Sequence, residues 1–294
     1  MYPFLHIFGT SISTYYICAA LAGVMGFLLA ARALEKSDTA ISSGVWKWIL
    51  PLVAEVLAVI GARLFNVLIN PSNYGKDFHA WTFTYSHLSL IGGLALGLLG
   101  ILICCLITRQ DPRPVFDCFV LPAGCGIMIL KLGCFLNGCC FGKSTKLPWG
   151  MEFSTNTSSY ASIDPLGILS SAKSIVHPTQ LYEILGALIA LGLALILKKH
   201  LGAGGSAAVF AAAFSIARWI VLPYRVLGYP KYVIHTLYPI LYGGTALFCI
   251  GYAVWSTGAF GKEKRGEVAP VKERDDSRVK AQSDMVMNVS GVSE

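Results

Sequence analysis

Seven continuous apolar runs constrain this chain more than any motif in it. They cover Tyr15 to Leu34, Trp48 to Ile69, Leu88 to Ile107, Phe116 to Leu136, Leu181 to Leu197, Ala207 to Pro223 and Leu237 to Trp255. A helix needs about 20 apolar residues to cross the hydrocarbon layer, whereas a barrel strand would show short stretches of alternating polarity. The runs are unbroken, so they predict helices. Composition agrees: 55% of the 294 residues are hydrophobic and 13% are charged, against about 25% charged in a soluble domain. A soluble domain, a coiled coil and a disordered chain are excluded. The expected fold class is an all-α polytopic membrane protein of about seven transmembrane helices, with a small extracytoplasmic cap segment.

The net charge of +7 is spread over short loops and the C-terminal tail, which is not a nucleic-acid footprint. Arg32, Lys36 and Lys47 follow the first run, Arg109 and Arg113 the third, Lys198 and Lys199 the fifth, and Lys262, Lys264 and Arg265 the seventh. Lysine and arginine mark the cytoplasmic side, so the expected orientation is N-terminus outside and C-terminus inside. Lys76, Lys143, Lys146, Lys173 and Lys231 fall on the opposite face. Met1 to Thr10 has no basic n-region, which argues for a retained first helix over a cleaved signal peptide. The cysteine count is nine, and Cys104, Cys105, Cys118 and Cys125 sit inside apolar runs, a poor basis for a disulfide framework. Asn70 to His87 carries Tyr74, Phe78, Trp81, Phe83 and Tyr85, which suits an interfacial aromatic belt. Asn137 to His177 is too long for a plain connector and is expected to form the cap. The transmembrane domain is expected over 1–257 and a disordered cytoplasmic tail over 258–294, where charge is high and aromatics are few.

Ionisable side chains inside such runs carry the information, because each costs roughly 2.5–3.5 kcal/mol at mid-membrane and so faces a cavity or a partner. Glu55, Arg63, Asp117, Lys131, Glu183 and Arg218 lie in or at the edge of runs, and Arg225 lies just beyond Pro223. Glu55 and Arg63 are separated by about 12 Å along a helix axis and cannot pair directly. Two arginines and a lysine meeting from different helices would make a pocket for a lipid phosphate, which the planar guanidinium fork fits. Structural ion pairing is the plainer reading of the same residues.

Two segments add local signals. Lys131-Leu-Gly-Cys-Phe-Leu-Asn-Gly-Cys-Cys-Phe-Gly142 combines glycines with a boundary amide, Asn137. Its Cys134, Cys139 and Cys140 form no CxxC pair and have no neighbouring histidine to complete a zinc set, so no metal or other cofactor is expected. His177-Pro-Thr-Gln-Leu-Tyr-Glu183 places Pro178 in a helical first turn and carries Gln180, Tyr182 and Glu183 into the membrane edge.

Taken in order, these segments resemble the prolipoprotein diacylglyceryl transferase family over roughly Ser13 to Arg225. Thr14-Tyr15 looks like the family's first-helix Trp-Tyr, and Gly61-Ala-Arg63-Leu-Phe like its second-helix arginine motif. Ser89-Leu-Ile-Gly-Gly-Leu94 looks like Ser-Phe-His-Gly-Gly-Leu, and Asp117 with Pro122 also fits. Lys131 to Gly142 is similar to the signature Gly-Arg-x-Gly-Asn-Phe-x-Asn-Gly-Glu-x-Trp-Gly. His177-Pro-x-Gln-Leu-Tyr-Glu183 is close to the fifth-helix motif, and Arg218-Trp with Arg225 resembles Arg-Phe-x-x-Glu-x-x-Arg.

The resemblance implies transfer of the diacylglyceryl group of phosphatidylglycerol to the lipobox cysteine of a preprolipoprotein in the bacterial inner membrane, with release of glycerol phosphate. It assigns substrate binding to Tyr15, Arg63, Lys131, Asn137, Gly142, His177, Gln180, Tyr182 and Arg225. Arg218 and Glu183 are the catalytic candidates. Ile91 stands where the family has histidine, Lys131 where it has arginine, Cys134 where it has asparagine, Cys139 where it has glutamate, and Leu222 where it has an acid. His87, one turn before Ile91, and Glu183 are the two candidate substitute bases. Two other readings stay open: the same fold with a thiol nucleophile or redox pair at Cys139 or Cys140, and an anionic-lipid-binding protein without turnover.

Overall fold

A computed structural model describes residues 4–7, 10–37, 39, 44–69, 88–153 and 175–257. The aromatic stretch 70–87, most of the expected cap and the whole tail 258–294 therefore lie outside the described residues. The described chain opens with an antiparallel hairpin, β1 (Phe4–Ile7) and β2 (Thr10–Ser13), paired from Phe4 with Ser13 to Ile7 with Thr10. Helices follow: α1 (Thr14–Glu35), α2 (Trp46–Ile69), α3 (Leu90–Ile107), a short α4 (Pro112–Cys118) and α5 (Val120–Asn137). A two-residue antiparallel pair, β3 (Met151–Glu152) with β4 (Ile175–Val176), leads into α6 (Thr179–Leu197). The chain then forms α7 (Gly205–Val221) and, after a π turn at Val233–Leu237, α8 (Tyr238–Ser256).

Seven helices among the described residues are long and apolar enough to cross a membrane, and the protein is a multi-pass membrane protein. Side chains that would be intolerable in water line the outside, with Leu247 75% and Phe248 76% exposed. The expected crossings match these helices to within a few residues, with one exception. The run Phe116 to Leu136 is not one helix: α4 ends at Cys118, and α5 starts at Val120 after Phe119. Pro122 has no N–H to give the Cys118 carbonyl, so a continuous helix would lose a rung there.

Small residues bring the helices close. At Gly61 of α2 an added Cβ would collide with the Gly92 carbonyl of α3, and at Gly97 it would lie 3.3 Å from the Ala54 carbonyl. Such approach is how helices associate in lipid, where no hydrophobic force separates them from acyl chains. Between α1 and α5, a Cβ on Gly133 would lie 2.6 Å from that of Cys18 and 3.6 Å from Tyr15 Cα. That contact sets Tyr15 beside the end of α5. Asp117 serves the fold: its carboxylate accepts N–H groups from Gly204 at 2.7 Å and Ala207 at 2.8 Å, capping α7 from α4.

Candidate functional site

Glu183, in the second turn of α6, is 2% exposed and touches three cations from three separate segments. Its Oε2 lies 2.6 Å from Lys131 Nζ of α5 and 2.6 Å from Arg218 Nη1 of α7; its Oε1 lies 2.9 Å from Arg225 Nη1. Three cations outnumber the one carboxylate at their centre, so the cluster carries positive charge in excess of Glu183. In a low-dielectric setting that excess is a strong attractor for an anion.

Each cation is held in place. Arg218 donates from Nη2 to the Tyr242 hydroxyl at 3.0 Å and its guanidinium lies 5.7 Å from the Tyr242 ring centroid. Arg225 is not on a helix. Beyond α7 the chain makes a 3-10 turn at Leu222–Tyr224, forced by Pro223, and Arg225 then runs extended. It forms an antiparallel bridge with Gly142, while Lys143 N donates to Tyr224 O at 2.8 Å. Arg218 and Arg225 thus reach Glu183 from a helix and a strand-like segment, not from one helix face.

The signature segment closes over this cluster. Gly138 ends α5 in the left-handed region at φ 74°, and Cys139 N donates to Cys134 O at 3.0 Å, a Schellman-type turn. The start of α6 fastens the turn: Gln180 Nε2 donates to Cys139 O at 2.6 Å and Thr179 Oγ1 to Cys140 O at 2.7 Å. Gly142 N donates to His177 O at 2.8 Å. Asn137 is buried and its Oδ1 accepts from Ser13 Oγ at 2.9 Å. Tyr182 accepts from Trp149 Nε1 at 2.8 Å and pairs with His177 Nδ1 at 3.1 Å. Cys140 accepts from the Cys134 and Cys139 thiols, which holds its own thiol well below the ordinary range; the Lys131 and Arg225 charges act the same way and burial opposes them.

Of the residues singled out in the sequence, Lys131, Glu183, Arg218 and Arg225 meet directly. Asn137, Gly142, His177, Gln180 and Tyr182 frame the loop above them. Arg63 is buried on α2, three residues before Asn66, whose Nδ2 donates to the Tyr229 hydroxyl at 3.1 Å. His87 lies outside the described residues. Ile91 and Leu222, at the two positions where the resemblance expects a histidine and an acid, pack into one apolar cluster with Ile69, Val233, Tyr238 and Tyr242. Tyr242, Tyr229 and Asn66 are contributors that sequence reasoning missed. Their signal was a hydroxyl or amide inside or beside an apolar run, which demands a partner once buried.

The family model for prolipoprotein diacylglyceryl transferase matches residues 3–254. A phosphatidylglycerol–prolipoprotein diacylglyceryl transferase of Mycobacteroides abscessus is 26% identical over 75% of this chain and 67% of its own length. One from Nocardia farcinica is 31% identical over 58% of this chain and 36% of its own length. Phosphatidylglycerol–prolipoprotein diacylglyceryl transferase 2 of Streptomyces coelicolor is 28% identical over 73% of this chain. The chain spans about two thirds of the Mycobacteroides and Streptomyces proteins, 67% and 66%, and about a third of the Nocardia one. Matched from the first hairpin into the last helix, the chain belongs to the prolipoprotein diacylglyceryl transferase family.

Proposed function

We propose that the protein transfers the diacylglyceryl group of phosphatidylglycerol to the lipobox cysteine of a preprolipoprotein, in the bacterial inner membrane with its N-terminus outside and its C-terminus in the cytoplasm. The observation that carries this reading is the positive excess around Glu183, supplied by Lys131, Arg218 and Arg225. In the reaction a sulfur–carbon bond forms, the carbon–oxygen bond to phosphate breaks, and glycerol phosphate leaves. Charge grows on the departing phosphate, and fixed cations stabilise that growth most effectively where water is excluded. Entry of the lipid phosphate competes with Glu183 for the same cations and frees its carboxylate to take the acceptor thiol's proton. Asn137, Gly142, Gln180 and Tyr182, in the segments above the cluster, are the binding positions for the headgroup and the incoming peptide. The test is purified protein with phosphatidylglycerol and a lipobox peptide, read by mass; the diacylglyceryl adduct on the cysteine is expected.

A second reading, anionic-lipid binding without turnover, is favoured by Ile91 and Leu222. They put hydrocarbon where the resemblance expects an acid and a base. In the same experiment it is distinguished by phospholipid that co-purifies and is recovered unchanged after prolonged incubation with acceptor.

A further inference from the structure

The transfer reaction leaves one constellation unused. The Sγ atoms of Cys134, Cys139 and Cys140 all lie within 4.8 Å of one another, and all three are free thiols. We propose that they form a three-sulfur site for a thiophilic metal ion of the zinc(II) or copper(I) class, with the remaining coordination position open to an exogenous ligand.

Distance is the first argument. Zinc–sulfur bonds of about 2.3 Å in a tetrahedron set ligand sulfurs about 3.8 Å apart. The three sulfurs therefore need to move by at most about 1 Å, a shift that side-chain rotation supplies without unfolding the turn.

The backbone is the second. Cys140 sits at φ 62°, a left-handed conformation that residues with a Cβ avoid. It persists because Thr179 and Gln180 grip the carbonyls of Cys140 and Cys139. Strain held in this way at one residue points to function, since it aims a side chain that relaxed backbone would turn elsewhere.

The surroundings fit an ion. Cys134 and Cys139 are buried and Cys140 is half-buried, so two ligands are dry and the third offers an entry path. The donors are all sulfur, which selects soft ions over magnesium or calcium. Zinc with three thiolates carries one negative charge, and Lys131 and Arg225 lie close enough to act on Cys140 electrostatically. Gln180 Oε1 is buried with no hydrogen-bond partner among the described residues, on the same amide that holds Cys139. Its free acceptor can take a hydrogen bond from a water that fills the fourth coordination position. The C-x4-C-C spacing hides this site in the sequence, because the turn after Asn137, not a CxxC pair, folds Cys134 back onto its neighbours.

The full chain, purified in detergent with all thiols reduced, is titrated with Zn2+ and separately with Cu+, and bound metal is counted against protein. Co2+ then serves as the spectroscopic probe, its sulfur-to-metal charge-transfer absorption reporting thiolate ligands. One ion per chain is expected, with a cobalt–thiolate band and an affinity lowered about 100-fold or more in Cys139→Ser. Cys249→Ser, a thiol of α8, should bind as the parent does. Should Cys139→Ser fail to fold, the half-buried Cys140→Ser supplies the same comparison. Substoichiometric binding of both metals by folded, fully reduced protein overturns the proposal, as does unchanged affinity in the folded serine variant. A disulfide within the trio whose reduction yields no metal affinity overturns it too. The readout is metal and not turnover, so its failure and that of the transfer reading are separately visible.

Discussion

Glu183 Oε2 stands 2.6 Å from Arg218 Nη1 across the α6–α7 contact, and the same oxygen stands 2.6 Å from Lys131 Nζ on α5. One carboxylate therefore ties three segments together through charge. Glu183→Gln keeps the shape and removes the counter-charge, leaving Lys131, Arg218 and Arg225 buried together. The expected loss of stability is about 3–5 kcal/mol, read as a lowered melting temperature in detergent. Added phosphatidylglycerol should raise the melting temperature of Glu183→Gln more than that of the parent, because its phosphate replaces the missing anion. Equal shifts in both would remove the cluster as the lipid site.

Gly142 is pressed between the loop and α6. A Cβ there would lie 2.5 Å from Tyr224 O and 2.8 Å from both His177 Cβ and Thr179 Cγ2. Gly142→Ala is expected to cost about 1–3 kcal/mol by overpacking and to lower activity by shifting the neighbouring Arg225. Gly192→Ala on α6 is the control, since nothing lies within 4 Å of its added Cβ. It should be neutral or stabilising by up to about 1 kcal/mol, from helix propensity alone. Thermal unfolding of the two variants side by side checks both.

Ile91 and Leu222, where the resemblance expects a histidine and an acid, belong to one apolar cluster, and a pairing between the two positions is open to test. Ile91→His alone and Leu222→Glu alone each bury a polar group without its counterpart, and both should destabilise. The double variant is expected to recover at least about 1 kcal/mol of the summed loss as coupling energy. A double-mutant cycle on unfolding midpoints measures it. Strict additivity would show that the two positions do not face each other.

Asp117 gives a pH dependence of known sign. Burial raises its carboxyl above the ordinary aspartate value, although the Ala207 and Gly204 N–H groups pull the other way. The folded state holds the proton more tightly than the unfolded chain, so this contribution favours the fold at low pH and is lost as pH rises through the folded value. Asp117→Asn keeps an acceptor but cannot titrate. Its melting temperature should gain on the parent's as pH rises from the ordinary aspartate value, about 4, through the folded one. Asp117→Ala should lose about 1 kcal/mol at every pH through the missing cap.

Hydropathy reads the crossings well because lipid punishes any polar backbone or side chain left unsatisfied, so the pattern and the fold answer to one solvent. It counts composition and not dihedral angles, which is why it runs through Phe119, where the helix stops. Lys131, Glu183, Arg218 and Arg225 stand out as charges in the wrong solvent, yet their mutual partnership is a tertiary fact. Nothing in the spacing of Arg218 and Arg225 reveals that Pro223 sends the second down a strand-like path. The cysteine trio is hidden for a similar reason: residues five and six apart meet only because Gly138 turns left-handed. Tyr242 carries no sequence pattern at all beyond a hydroxyl in a greasy helix.

The bridge between Gly142 and Arg225 makes the roof of the protein and its charged interior a single lever. Arg225 is fastened at its backbone to the loop and at its guanidinium to Glu183, with no helix between. Any displacement of the loop at Gly142 is therefore carried through the main chain to the guanidinium that grips the Glu183 carboxylate.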